Sequence, residues 1–223
     1  MSDTQPPAAA DNPQWTLEIP LEDLEDTEQL ARSLAVYLRA GDLLVLTGGL
    51  GAGKTTFTQS LAAALEVEGL VSSPTFVLSR IHRSRSGGPD LVHVDAYRTD
   101  VEGLESLDLA ASLAESVTVV EWGRGVVEVP LMGAQGSWLD LELTRTDTGS
   151  EAAPPGDDDA RAAVPESAPV FQTDFSETEA DALGSQRLAV LRGYGRRWEH
   201  APDVTAEYPG ARLSAAKPGP SQQ

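Results

Sequence analysis

Cysteine is missing from the 223-residue chain. That excludes disulfides, thiolate metal sites and a cysteine nucleophile, and it suits a reducing compartment. Long apolar runs are missing too: none approaches the roughly 20 residues that span a bilayer. The opening Met1-Ser2-Asp3-Thr4-Gln5-Pro6-Pro7 has neither the basic start nor the apolar core of a signal peptide. A cytoplasmic protein with no membrane association is expected. Basic residues are scarce, with 16 Lys and Arg against 35 Asp and Glu and a formal net charge of −19. Broad, direct nucleic-acid binding needs clustered cations and is disfavoured by that balance. The acidity is concentrated in two places, Asp3 to Glu28 and Glu151 to Asp181. The 40% hydrophobic content is enough for the core of one ordinary domain plus tails.

Against these absences stands one dense signal, Gly48-Gly49-Leu50-Gly51-Ala52-Gly53-Lys54-Thr55. Its spacing is that of a phosphate-binding loop: glycines let consecutive N–H groups curl round an anion, Lys54 reaches the β- and γ-phosphates, and the Thr55 hydroxyl is placed for Mg²⁺. Context supports it. The apolar run from Gly41 to Thr47 reads as a buried strand, and the stretch from Thr56 to Leu65 puts Phe57, Leu61 and Leu65 on one helical face, so the loop caps a helix whose first turn includes Thr56.

Residues 1–13 read as a disordered tail and order is expected from Trp15, whose strand alternates apolar and polar through Ile19. A helix is expected from Thr27 to Ala40, capped by Asp26 with Gln29 and ended by Gly41. Further strands are expected after the Val71–Pro74 turn, at Leu91–Asp95, Val117–Glu121, Trp138–Leu143 and Arg187–Arg192, the last completing the sheet beside 138–143. Arg83–Pro89 reads as a hairpin loop and Val101–Ala114 as a helix. The resulting expectation is an α/β fold of P-loop type, a mostly parallel sheet flanked by helices with some antiparallel strands. Residues 14–145 and 186–200 form the domain. Residues 146–185, acidic and rich in Ala and Pro, are expected to be a disordered insertion, and 201–223 a loose tail.

Binding a nucleotide and hydrolysing it are different tasks, and the second needs carboxylates. Asp95 and Glu121 each end an apolar strand, and in parallel sheets the ligand crevice lies beyond the strands' carboxyl ends. Both are candidate catalytic and metal-binding groups beside Thr55. Thr75, in the Ser73-Pro74-Thr75 turn, is a further candidate for the metal or γ-phosphate. Trp122 is a candidate cover for the nucleotide or a core residue. Arg98 reads as a structural ion pair and His93, on the same strand face as Asp95, as a partly buried, satisfied histidine. Arg192, Arg196 and Arg197 around Trp198 read as a solvated strand end. No Asn-Lys-x-Asp or Thr-Lys-x-Asp sequence is present to read guanine, so an adenine nucleotide is expected.

Taken in order, Gly48–Thr55, Ser73-Pro74-Thr75-Phe76, His93-Val94-Asp95-Ala96-Tyr97-Arg98 and Val120-Glu121-Trp122 resemble the TsaE (YjeE) family of bacterial P-loop ATPases. The likeness covers Trp15 to Leu143 and resumes from Arg187 to Trp198. It implies an ATPase acting with TsaB and TsaD in forming N6-threonylcarbamoyladenosine at position 37 of tRNA, with ATP and Mg²⁺ as cofactors and tRNA met through the complex. It further implies that Lys54 and Thr55 bind phosphate and Mg²⁺, that Thr75 and Asp95 lie by the metal, that Glu121 supports hydrolysis and that Trp122 lies near the nucleotide. Gly49 stands where the family often has an acidic residue, and Gly123-Arg124-Gly125 where proline is common. A small-molecule kinase and a non-hydrolysing, nucleotide-responsive binding module are the alternative functions.

Overall fold

A run such as Leu43-Leu44-Val45-Leu46 needs cover on both faces, because successive side chains of a strand point to opposite sides. In the computed structural model, which describes residues 12–74, 78–97, 109–146 and 186–215, this run is the strand β2 (Leu43–Thr47), buried from Leu43 to Leu46. Two parallel neighbours flank it, β5 (Ser116–Glu121), buried throughout, and β6 (Trp138–Arg145). Beyond β5 lies β4 (Asp90–Asp95), also parallel. The margins are antiparallel: β3 (Ser79–His82) pairs with β4, β7 (Arg187–Tyr194) with β6, β1 (Trp15–Leu21) with β7, and β8 (Arg212–Ala215) with β1. The eight-stranded order is β3-β4-β5-β2-β6-β7-β1-β8.

The α/β P-loop architecture is as the sequence predicts, with parallel pairing confined to the centre. Three of the pairings are parallel and four antiparallel. Antiparallel neighbours need no crossover helix, and the β6–β7 ladder extends one bond past the strands, the Thr146 N–H meeting the Gln186 carbonyl at 2.9 Å. Residues 147–185, most of the expected insertion, lie outside the described residues, as do residues 1–11 of the expected N-terminal tail.

One face of the sheet carries α1 (Leu24–Ala35) and α2 (Lys54–Ala64), whose Leu30, Leu34, Phe57 and Leu61 pack with Leu44, Leu46, Leu141 and Leu191. Burying each such side chain contributes about 1.5–3 kcal/mol. The other face sets Leu43, Val45, Val92 and Val120 against Leu109 of α3 (Leu109–Leu113) and Val127, just before α4 (Glu128–Met132). Strands β1 and β7 alternate buried and more open positions, so this flank is covered on one face.

Three expectations are corrected. Helix α1 begins at Leu24, because Asp23, in an extended conformation, accepts the Asp26 N–H at 3.0 Å while Asp26 accepts the Glu22 N–H at 2.7 Å. That carboxylate pair, three residues earlier than Asp26 with Gln29, is the cap. The helix also stops at Ala35: the Leu38 N–H bonds the Ala35 carbonyl at 3.2 Å and Asp42 takes the Arg39 N–H at 2.9 Å, turning the chain before Gly41. Finally, residues 201–215 are not a loose tail. Val204 and Tyr208 are buried, the Tyr208 hydroxyl bonds the Asp26 carbonyl at 3.0 Å, and Glu207 accepts from Gln29 and Ser33 of α1. Two isolated anchors without period leave no pattern to read. Of the expected helix over 101–114, residues 101–108 lie outside the described residues. No described helix is long and apolar enough to cross a membrane.

Candidate active site

The loop between β2 and α2 is shaped by steric necessity. Gly48 has φ +147°, and a Cβ there would lie 2.3 Å from the Leu143 carbonyl oxygen of β6. Gly53, at φ +99°, caps α2 in the left-handed region and supplies no side-chain acceptor. The first-turn amides of a helix lack i−4 partners and carry the positive end of its dipole, which suits this end of α2 to an anion. Gly49, with nothing within 4 Å of a built Cβ, has no comparable constraint. Behind the loop, buried Arg187 donates Nε–H to the Ala52 carbonyl at 3.1 Å and lies against Gly53. Its role as a buttress carries no local sequence signal, since it rests on the β6–β7 pairing that brings Arg187 opposite Arg145.

Lys54 is buried. Its ammonium donates to the Gly48 and Gly49 carbonyls at 3.0 and 2.9 Å and sits 3.8 Å from the centroid of the Trp122 ring. That cation–π contact, worth about 2 kcal/mol when desolvated, ties the loop to the end of β5. Trp122 holds φ +62°, uncommon for a side-chain-bearing residue, with its N–H bonded to the Leu46 carbonyl at 2.9 Å. Its ring tilts against Tyr97 at 5.2 Å between centroids.

The two predicted carboxylates come together. Asp95 and Glu121 are register partners at the carboxyl ends of β4 and β5, and both are buried. Glu121 accepts the Thr55 hydroxyl, 3.0 Å from Oε1 and 3.3 Å from Oε2, and its Oε1 lies 2.8 Å from His93 Nε2. Asp95 accepts the Tyr97 N–H at 3.0 Å and the Ser73 hydroxyl at 3.4 Å. His93 is thus joined to the site rather than merely buried near it. Among the described residues no group of three His, Cys, Asp or Glu forms a metal cage. A hydroxyl with two carboxylates beside a phosphate cradle nevertheless fits magnesium, which usually takes one or two carboxylates and completes its shell with phosphate and water. Thr75, the remaining metal candidate, and Arg98 lie outside the described residues.

Just past Trp122, Arg124 reaches buried Asp140 through Nε at 2.7 Å and Glu142 through a terminal nitrogen at 3.0 Å, and Arg192 meets both carboxylates at 3.0 Å. Burial works against the charge of Arg124, but Asp140 and then Glu142 hold it firmly protonated. At Glu142 burial pushes upward and is overcome by Arg124 and then Arg192, leaving the carboxyl below its ordinary range. This network braces the loop after Glu121 on β6. Arg197 is likewise committed, to the Tyr37 carbonyl at 2.6 Å and Asp42 at 3.2 Å, so Arg192 and Arg197 serve the fold and the expected solvated basic end reduces to exposed Arg196.

A phosphate loop at a β-to-α junction, with acidic strand ends beside it in a sheet with a parallel centre, defines a P-loop protein of nucleotide-binding type. The family model described as threonylcarbamoyl adenosine biosynthesis protein TsaE matches residues 21–152, and the chain belongs to the TsaE family. Among similar proteins, the tRNA threonylcarbamoyladenosine biosynthesis protein TsaE of Streptomyces coelicolor is 58% identical over 102 residues, spanning 45% of this chain and 69% of that protein. The Mycobacterium tuberculosis protein of the same name is 50% identical over 113 residues, 47% of this chain and 67% of its own. The Bacillus subtilis one is 39% identical over 105 residues, 47% and 65% of the two chains. In three dimensions the chain resembles the crystal structure of Bacillus subtilis YdiB, with a TM-score of 0.50 and 24% identity over 82% of this chain and 89% of that one. That likeness is one of fold.

Proposed function

We propose that this chain is a magnesium-dependent ATPase of the tRNA N6-threonylcarbamoyladenosine system, acting in the cytoplasm with TsaB and TsaD and meeting tRNA through that complex. The observation that carries the reading is the pairing of Asp95 with Glu121 at the strand ends, with Glu121 bonded to the loop's own Thr55. The relatives named for tRNA threonylcarbamoyladenosine biosynthesis supply the pathway.

The division of labour follows from the chemistry of each group. The loop amides from Gly49 to Thr56, the N-terminal dipole of α2 and the Lys54 ammonium bind and neutralise the phosphates. Thr55, Asp95 and Glu121, with Thr75, are the residues that would hold magnesium, which screens phosphate charge when bound. Glu121 orients the attacking water and accepts its proton; the water oxygen bonds to the γ-phosphorus, the bond from that phosphorus to the bridging oxygen breaks, and ADP departs. Trp122 walls the nucleotide beside Lys54. Turnover is slow in the chain alone and gated by the partner proteins, because Glu121 is shared with both Thr55 and His93.

Glu121→Ala is expected to keep ATP affinity within a few-fold and to cut phosphate release by about a hundredfold or more, on the scale of removing a catalytic base and metal contact. Measurements with and without TsaB and TsaD separate the alternatives. Transfer of phosphate to a metabolite would identify a kinase. Partner affinity that changes between ATP and ADP, with phosphate release at background, would identify a binding module. Undiminished hydrolysis in the variant removes Glu121 from the mechanism.

A further inference from the structure

His93 is fully buried on β4, on the sheet face that it shares with Asp95. Its Nε2 lies 2.8 Å from Glu121 Oε1, and its Nδ1, also buried, has no hydrogen-bond partner among the described residues. Those two facts select one form of the ring. A doubly protonated imidazole would leave a buried N–H donor at Nδ1 without an acceptor, a costlier state than an idle lone pair. The neutral ring with its proton on Nδ1 would orphan the same donor and set the Nε2 lone pair against a carboxylate oxygen. The neutral ring with its proton on Nε2 alone satisfies the geometry.

The consequence falls on Glu121. Its Oε1 receives two donors, Thr55 Oγ1 at 3.0 Å and His93 Nε2–H, while Oε2 has a single longer contact, 3.3 Å to the same Thr55 hydroxyl. Thr55 is a loop residue whose hydroxyl the phosphate chemistry recruits. Its bond is therefore one that Glu121 surrenders in the loaded protein, whereas His93 sits on a strand hydrogen-bonded on both sides, to β3 and β5. We propose that His93 is a positioning residue for Glu121: its Nε2–H pins Oε1, so that Oε2 is the oxygen committed to the water and metal. This inference rests on the ATPase reading, in which Glu121 serves hydrolysis. In this reading His93 acts through Glu121, the group it contacts.

Two measurements on the full-length protein test it. The first is ¹⁵N NMR of the imidazoles without nucleotide at neutral pH; the three histidines are told apart by the signal lost in His93→Gln. A proton on Nε2 is expected, and a ring whose Nε2 carries no proton overturns the proposal. The second is turnover. His93→Phe keeps the ring and deletes the donor, and is expected to lower kcat about tenfold or more while ATP KM and ADP affinity stay within about twofold. His93→Gln, which restores an amide N–H, should recover much of the loss. A folded His93→Phe with unchanged kcat, or a His93→Gln no better than His93→Phe, would sink the idea. If His93→Phe fails to fold, the wild-type spectrum and a His93→Gln kcat closer to wild type than to Glu121→Ala decide it. A wild type that releases no phosphate even with TsaB and TsaD removes the ATPase reading instead, and the spectrum still settles the tautomer.

Discussion

The centre of the sheet and its far flank are built on different rules. In β4, β5 and β2 nearly every residue is buried, because helices or loops cover both faces, and the two candidate catalytic carboxylates sit at the strands' carboxyl ends. In β7 and β1 every second residue is buried and the alternate ones are more open, and no candidate catalytic residue sits there. The difference teaches where function can be placed in such a fold. A strand sealed on both faces leaves its ends for a ligand, while a flank covered on one face spends its buried half on stability and on bracing the loop through Arg187, and its more open half on bracing Asp140 through Arg192.

If that separation is real, stability and activity come apart on mutation. The largest effect is expected from Leu191→Ala in the flank. Leu191 is fully buried against the α1 and α2 face, and truncation should cost about 2–5 kcal/mol of unfolding free energy. Per folded molecule, turnover well below the new melting temperature should match wild type; a proportional loss of kcat would erase the distinction between the regions. Gly48→Ala should do the reverse. A methyl group forced within 2.3 Å of the Leu143 carbonyl at a φ of +147° distorts the cradle, so calorimetric ATP affinity should fall about tenfold, or about 1.4 kcal/mol, while Gly49→Ala, in open space, leaves it unchanged. Equal effects at the two glycines would contradict the steric account.

The smallest effect belongs to the seam. The Glu142 carboxyl is held below its ordinary value of 4.5 by Arg124 and Arg192. A depressed folded value means that its contribution is present above pH 4.5 and fades as pH falls through the lowered folded value. Glu142→Gln should therefore cost about 0.5–1 kcal/mol at neutral pH, with the two denaturation curves converging in acid. A difference that persists below the folded value would mean that the residue acts through packing rather than charge.

Which parts were readable from the chain follows the same division. The loop, Thr55, Asp95 and Glu121 were legible because their spacing and their place at the ends of apolar runs are local properties, and the strands holding them were found within a residue or two. The start of α1 was missed by three residues because two side-chain pairs, Asp23 with Asp26 and Asp26 with Gln29, compete to cap it and only the backbone geometry at Asp23 decides. The ordered stretch 201–215 was missed because Val204 and Tyr208 are solitary anchors, and the partnership of His93 with Glu121 because it joins neighbouring strands whose register no pattern states.

By itself the sequence determined the nucleotide-binding loop, the alternation of strand and helix that builds a P-loop core, and the TsaE family, since these depend on residue type and short-range spacing. Only the tertiary structure decided which carboxylate meets Thr55, which nitrogen of His93 faces Glu121, that Arg124 and Arg187 brace the site from outside it, and that β7, β1 and β8 run antiparallel in that order beyond β6. Those contacts join residues far apart in the chain, and their distances depend on strand order and register, which follow from how the whole apolar surface is covered at once.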